Sequence, residues 1–131
     1  MSATEADATA IAALANRYAE VALRRDFGAW AACFTAGGVF ITDGISAGRV
    51  DRFVPHEDVD RFAAIAGQYL DDAAEPVPMH ITTMDVDVQG DVATARCEIE
   101  GSGHYEDRLV RTGDGWRFTE RRWFEGPKRP A

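Results

Sequence analysis

The sequence lacks what would tie it to a membrane, to nucleic acid or to a disulfide framework. No apolar run approaches the roughly 18 residues that a membrane span requires. The opening "MSATEADATA" has neither the basic nor the apolar segment of an export signal, so a cytoplasmic protein is expected. Acidic residues outnumber basic ones 22 to 14, and the resulting net charge of −8 would repel a phosphate backbone. Neither a nucleic-acid nor a membrane partner is therefore expected. The two cysteines, Cys33 and Cys97, lie in "AWAACFT" and "ATARCEI", surroundings that suit buried thiols better than a disulfide. His56, His80 and His104 stand 24 residues apart each time with no HxxxH or CxxC pattern, so no metal site is expected.

What is present has an ordinary globular balance. The chain is 46% hydrophobic and 27% charged over 131 residues, which fits one α+β domain spanning 1–131. Residues 4–25 carry Ile11, Leu14, Tyr18 and Val21 three to four apart, the stripe of an amphipathic helix. Asp26 can cap a second short helix, "FGAWAACF", in which Phe27, Trp30, Ala31 and Phe34 share a face. "VFIT" reads as a strand ending at Asp43-Gly44, and residues 44–56 as a loop long enough to serve as a lid. A third helix, "HEDVDRFAAIAGQYL", follows Pro55, with His56 at its start and Val59, Phe62, Ala66, Tyr69 and Leu70 at helical spacing. After the break "DDAAEPVP" come four strands, about 79–88, 92–100, 104–111 and 116–124, separated by glycine-containing turns. Helices first and antiparallel strands second predict helices packed on one face of a curved sheet.

Because alternate strand residues face opposite sides, parity sorts the candidate functional residues. His80 shares its parity with Met84, Val86 and Val88, and so is expected to point inward. In the next strand Ala93, Ala95, Cys97 and Ile99 form the inner set, and their small volumes leave room for a pocket. Tyr105, Asp107 and Leu109 follow in the third strand. In the last, Trp116, Phe118, Glu120 and Arg122 are the expected inner set. Tyr18, His80 and Asp107 thus converge as a phenol, an imidazole and a carboxylate suited to proton transfer.

Three segments, "ALANRYAEVALRRDFGAWAACFTAGGVF", "HITTMDVDVQGDVATAR" and "GHYEDRLVRTGDGWRFTERR", resemble the SnoaL-like branch of the nuclear-transport-factor-2-like (NTF2-like) superfamily. That superfamily includes ketosteroid isomerase and scytalone dehydratase. The resemblance covers about residues 8–124. It implies a cone-shaped fold, with three N-terminal helices on a strongly curved mixed or antiparallel sheet enclosing a pocket. It also implies a homodimer formed through the sheets, and chemistry without a cofactor. Dehydratase-like relatives use a helix-one Tyr, an Asp five residues later and a strand His, which map onto Tyr18, Leu23 and His80. The missing Asp leaves Asp107 to substitute from the sheet side. Thr83 stands where the family commonly has Asn, and "FTAGG" where it has "FTEDG".

The leading expectation is a cofactor-independent isomerase, dehydratase or cyclase acting on an apolar, carbonyl-containing ring or polyketide-like molecule. His80 would be its base or acid, Tyr18 a donor to the developing oxyanion, and Asp107 the partner of the histidine or a protonated donor. Trp30, Phe34, Phe62 and Tyr69 would line the pocket from the helical side, and Met84, Tyr105 and Phe118 from the sheet. The alternative is a ligand-binding or assembly module that kept the pocket without the chemistry. A third reading, epoxide hydrolysis, would use Asp107, Glu120 and Arg122. Trp123 and Phe124 would supply a dimer patch.

Overall fold

The computed structural model describes the backbone of residues 3–42, 51–71, 80–101 and 103–125. Helix α1, Ala3–Leu23, buries Ile11, Leu14, Ala15, Tyr18 and Val21 along one stripe, as their spacing predicts. It ends where Arg25 turns into the left-handed region, at φ 57°. There the Arg25 and Asp26 N–H groups donate back to the Ala22 and Val21 carbonyls, at 3.1 and 2.9 Å. Asp26 then begins α2, Phe27–Ala31, by accepting the Ala29 N–H at 3.1 Å.

α2 is shorter than its apolar spacing suggests. It stops before Phe34 because the Cys33 carbonyl is taken by the Phe118 N–H of a strand, at 2.9 Å. Phe34 accordingly opens β1, Phe34–Thr42. The stretch read as a loop holds a further strand, β2, Asp51–Phe53, which pairs antiparallel with β1. The remainder of that loop, residues 43–50, lies outside the described residues. α3 covers Pro55–Asp71 and is followed by β3 (Ile81–Gln89), β4 (Val92–Ile99), β5 (Gly103–Thr112) and β6 (Gly115–Glu125). The six strands form one mixed sheet in the order β2-β1-β6-β5-β4-β3, parallel only between β1 and β6. α1 packs over β3 and β6, and α3 over β1 and β2. None of the described helices is long and apolar enough to cross a membrane.

Three irregularities bend this sheet. Between Phe34 and Val39, β1 advances five residues while β6 advances two, from Phe118 to Glu120. On β3, Thr82 is an extra residue between the Ile81–Ile99 and Thr83–Glu98 pairs. On β6, Thr119 is extra between the Leu109–Phe118 and Arg108–Glu120 pairs, and its hydroxyl donates to the Arg108 carbonyl at 3.1 Å. Each sharpens the local twist, and the single-residue insertions at Thr82 and Thr119 also reverse the facing of the residues beyond them. The helices fill the resulting concavity with an aromatic core. Within it Trp30 stacks on Phe62 at 4.1 Å, and Phe34, Phe40, Phe53 and Phe118 are all at most 5% exposed.

Two backbone positions give direct tests. A Cβ on Gly38 would lie 2.9 Å from the Phe118 carbonyl and 3.1 Å from that of Thr35, whereas one on Gly37 meets nothing within 4 Å. Gly38→Ala should therefore cost about 1–3 kcal/mol in urea unfolding, with Gly37→Ala near neutral. Arg25→Gly should relieve the left-handed strain and raise stability by about 0.5–1 kcal/mol.

Candidate active site

The polar centre of the cone forms where α1, β5 and β6 meet. Tyr18, Tyr105, Asp107 and Arg121 are all buried, at 3%, 6%, 3% and 1% exposure. Tyr105 and Asp107 face inward from β5 as parity predicts, opposite Cys97 and Ala95 of β4. Arg121 was not among the inward candidates. The alternation from Trp116 and Phe118 points to Glu120 and Arg122, but the extra residue Thr119 shifts the inner set to Arg121 and Trp123. The five-residue interval from Phe118 to Trp123 in "FTERRW" is the signal, since two large inward aromatics at odd spacing require a bulge between them.

The Arg121 guanidinium is held by three rings and a carboxylate. Its Cζ lies 3.6 Å from the Tyr105 ring centroid, 4.2 Å from that of Tyr18 and 4.5 Å from that of Phe118. Its Nε is 3.1 Å from Asp107 Oδ1, an ion pair between side chains 1% and 0% exposed. The contact is one of charge rather than an aligned hydrogen bond. Neither Asp107 oxygen, nor Arg121 Nε or Nη1, has a hydrogen-bond partner among the described residues. The indole N–H of Trp30 is likewise buried without one.

These surroundings set the protonation states. Burial pushes the Asp107 carboxyl up to about 6, with Arg121 opposing part of the rise. Burial also raises Tyr18 well above the ordinary phenol value, and raises Tyr105 in the same direction. Burial works against the Arg121 charge, but Asp107 and the phenols outweigh it and the net shift is upward. At neutral pH the centre therefore holds a cation, a carboxylate and two protonated phenols. Among the described residues, no group of three or more His, Cys, Asp or Glu side chains is placed to hold a metal ion.

Other expected site residues lie elsewhere. His80 is exposed, and its described contact is through its backbone carbonyl, which accepts the Glu100 N–H at 2.9 Å. The Thr82 insertion is the cause, because it gives the inward parity to Ile81, which packs on the core. Leu23, the counterpart of the family Asp, is 38% exposed at the end of α1. Five residues advance a helix by about 500°, roughly 140° away from the face that carries Tyr18. Trp30, Phe34, Phe62, Tyr105 and Phe118 belong to the packed core, with Met84 partly buried against it. The side chain of Tyr69 is outside the described residues.

Glu120 and Arg122 face away from the centre. With Asp85, Asp87, Arg96 and Arg108 they line a depression of about 570 Å³ on the other side of the sheet. Asp107 reaches that depression only through its backbone, because its side chain is fully buried. The Asp107, Glu120 and Arg122 grouping needed for epoxide hydrolysis is therefore split by the sheet. Trp123 and Phe124 are split too, the first tilted against Tyr105 at 4.8 Å and the second stacked on His104 at 4.8 Å.

The Asp107 shift has a signed consequence for stability. An unfolded Asp titrates near about 4, whereas the folded one titrates at about 6. The folded state thus binds the proton more tightly, and this contribution is fully present below the unfolded value and lost as pH rises through about 6. The loss should be on the order of 3 kcal/mol. In Asp107→Asn that component of the pH slope should vanish. Stability at neutral pH should also fall by about 3–5 kcal/mol, because Arg121 loses its counter-charge. Urea midpoints of both proteins between pH 4.5 and 8 check both effects.

Comparison with known proteins agrees with this architecture. The SnoaL-like domain family matches residues 3–122. Rv3472(D26N) from Mycobacterium tuberculosis, a protein of unknown function, is 30% identical; the match covers 94% of this chain and 73% of that one, with a TM-score of 0.73. An NTF2-like protein with a cystatin-like fold from Novosphingobium aromaticivorans aligns with a TM-score of 0.72 at 18% identity, over 96% of this chain and 86% of that one. The beta subunit of benzoate 1,2-dioxygenase from Burkholderia mallei aligns at 0.66 and 15% identity, over 88% of each chain. No curated protein gives a significant match. On the extent of the family match the chain belongs to the SnoaL-like domain family, and its bent sheet beneath the helices is the fold of the NTF2-like protein it aligns with.

Proposed function

We propose that the protein is a small-molecule enzyme that moves a proton at the polar centre of its cone. The reaction is an isomerisation, dehydration or cyclisation of an apolar carbonyl-containing ring or polyketide-like substrate. The observation that carries this reading is the buried Asp107–Arg121 pair, in which both carboxylate oxygens and the Nε and Nη1 of the guanidinium have no hydrogen-bond partner among the described residues. Unfulfilled buried polar groups cost about 1–3 kcal/mol each, and a purely structural pair would be expected to have its partners. A ligand that supplies them recovers that cost on binding.

The chemistry follows from the protonation states. A carboxyl titrating at about 6 is matched to taking up and returning a proton near neutrality. Asp107 removes a proton from carbon next to a carbonyl, and the electron pair moves onto the carbonyl oxygen. Tyr18, kept protonated by its burial, donates to that oxygen. The proton then returns at another carbon, or leaves with a β-hydroxyl as water. No cofactor enters this proposal. The imidazole of His80 has no part in it, since that residue is exposed at the entrance to β3.

The second reading is a ligand-binding or assembly module, favoured by the near-complete burial of Asp107 and by Leu23 in the family's acid position. Such a module would bind a small hydrophobic molecule without turnover. The homodimer expected from sequence would use the outer sheet face, where Asp85, Asp87, Arg96, Arg108, Glu120 and Arg122 mix both charges. Light scattering at twice 14.3 kDa would support it, and a strictly monomeric mass would remove it.

A panel of cyclic enones and β-hydroxy ketones tests the enzyme reading. Turnover by the native chain should fall about 100-fold or more in Tyr18→Phe, the size of one lost oxyanion donor. It should fall by a comparable or larger factor in Asp107→Asn, with both variants checked for folding. Turnover unchanged in both variants would overturn the assignment. Binding without turnover in the native chain would establish the second reading.

A further inference from the structure

The outer face of the sheet carries an ordered pattern of side chains. Cross-strand register lines its outward residues into rows that run from β3 through β4 and β5 to β6. One row reads Asp85, Arg96, Glu106, Arg122, with charge signs minus, plus, minus, plus. The next reads Asp87, Thr94, Arg108, Glu120, and the one beyond it Gln89, Val92, Val110, Arg117. On the other side of the fully charged row, Glu98, His104 and Phe124 stand together on β4, β5 and β6. Two depressions of about 570 and 450 Å³, which share Asp87, Thr94 and Arg108, groove this face. Val92 is 54% exposed on it, more than any other large hydrophobic side chain among the described residues.

Alternating charge across neighbouring strands stabilises a sheet by itself. That purpose does not require a row to end in opposite signs on its two outer strands, or an exposed valine pair in the two central columns. Both features have a use when the face meets a copy of itself. A two-fold axis parallel to the strands, between β4 and β5, reverses the order of the columns. β3 then lies over the second copy's β6, and β4 over its β5. A row that alternates over four columns is converted into its complement by that reversal. Asp85 meets Arg122 of the second copy, Arg96 meets Glu106, Glu98 meets His104, and Val92 covers Val110. Among these oppositions Asp87 with Glu120 is the one of like charge. A two-fold axis across the strands would instead lay β3 on β3 and set Asp85 and Asp87 against the same two acids.

We propose that the outer face is a self-recognition surface on which two copies pack about a two-fold axis between β4 and β5, pairing Asp85 with Arg122, Arg96 with Glu106 and Val92 with Val110. The inference rests on the reading of this face as the homodimer surface and adds the axis and the pairing. The strands of both copies run in one direction, the aligned mode of sheet packing. The valines exclude water, while the charges fix the register and reject other orientations.

Sedimentation equilibrium at low salt tests the pairing, with circular dichroism checking the fold of each variant. Asp85→Lys turns two attractive contacts per dimer into two repulsive ones and should raise the dimer Kd about tenfold or more. Asp87→Lys makes the same change of charge two residues away on the same face, yet should lower Kd about threefold or more, because it replaces the opposition to Glu120 by an attraction. The two variants alter net charge equally, so general repulsion does not account for opposite directions. Arg96→Glu and Glu106→Arg should each weaken self-association. An equimolar mixture of the two should recover a dimer, since both of its contacts between positions 96 and 106 join opposite charges. A native chain that stays monomeric would overturn this inference and the homodimer reading together. A native dimer that Asp87→Lys weakens as Asp85→Lys does, or a mixture that recovers nothing, would overturn the pairing and leave the homodimer reading standing.

Discussion

The structure is organised around the burial of one guanidinium. Arg121 is 1% exposed, and an isolated charge at such a position would cost several kcal/mol in lost hydration. Three aromatic faces and one carboxylate offset that cost, and they come from three elements: Tyr18 from α1, Tyr105 and Asp107 from β5, and Phe118 from β6 itself. The site that satisfies the charge is therefore also the joint that holds helix to sheet. Well-packed apolar side chains of similar volume would close such a joint at least as firmly, because a buried ion pair rarely exceeds its own desolvation cost. A pair that also leaves polar atoms without hydrogen bonds is poorly explained by stability, whereas a ligand supplying those bonds would account for it.

Arg121 reaches this position through a single inserted residue. Thr119 adds one residue to β6, and its hydroxyl fastens the insertion to the Arg108 carbonyl. Before it, even-numbered residues of β6 face the core; after it, odd-numbered ones do. Without the insertion the guanidinium of Arg122 would face the aromatic rings, and that of Arg121 would lie on the outer face. The same device at Thr82 turns the start of β3, and the longer excursion through Gly37 and Gly38 bends β1. Curvature and site geometry thus have one cause, since each bulge that curls the sheet into a cone also decides which side chains enter it.

This also explains which parts of the molecule were legible in sequence. The α1 stripe, the inner set of β4 and the facing of Tyr105 and Asp107 all lie in regular stretches, where period 3.6 or period 2 holds without interruption. His80 and Arg122 lie beyond insertions, and there the same rule gives the opposite answer. Phe34 has helical spacing relative to Phe27 and Trp30, yet the tertiary hydrogen bond from Phe118 to the Cys33 carbonyl ends the helix first. The strand Asp51–Phe53 is too short to carry a periodic signal and exists through its pairing with Phe40 to Thr42. Leu23 fell where alignment along the chain placed an acid, on a helix face that turns away from Tyr18. In each case a contact distant in sequence outweighed a local pattern.

Strand alternation also separates the two functional readings in space. On β4 and β5, Ala95, Cys97, Tyr105 and Asp107 face the cone, while Thr94, Arg96, Glu106 and Arg108 face the depression on the other side. Beyond Thr119 the same division places Arg121 inside and Glu120 and Arg122 outside. Proton chemistry and assembly would then use neighbouring residues of the same strands without sharing a side chain. Low dielectric strengthens the few interactions on the inner face, whereas water and salt weaken the many on the outer one. One inward substitution at Asp107 or Arg121 should consequently matter more than one outward substitution at Glu106 or Arg122, although each pair is adjacent in the chain.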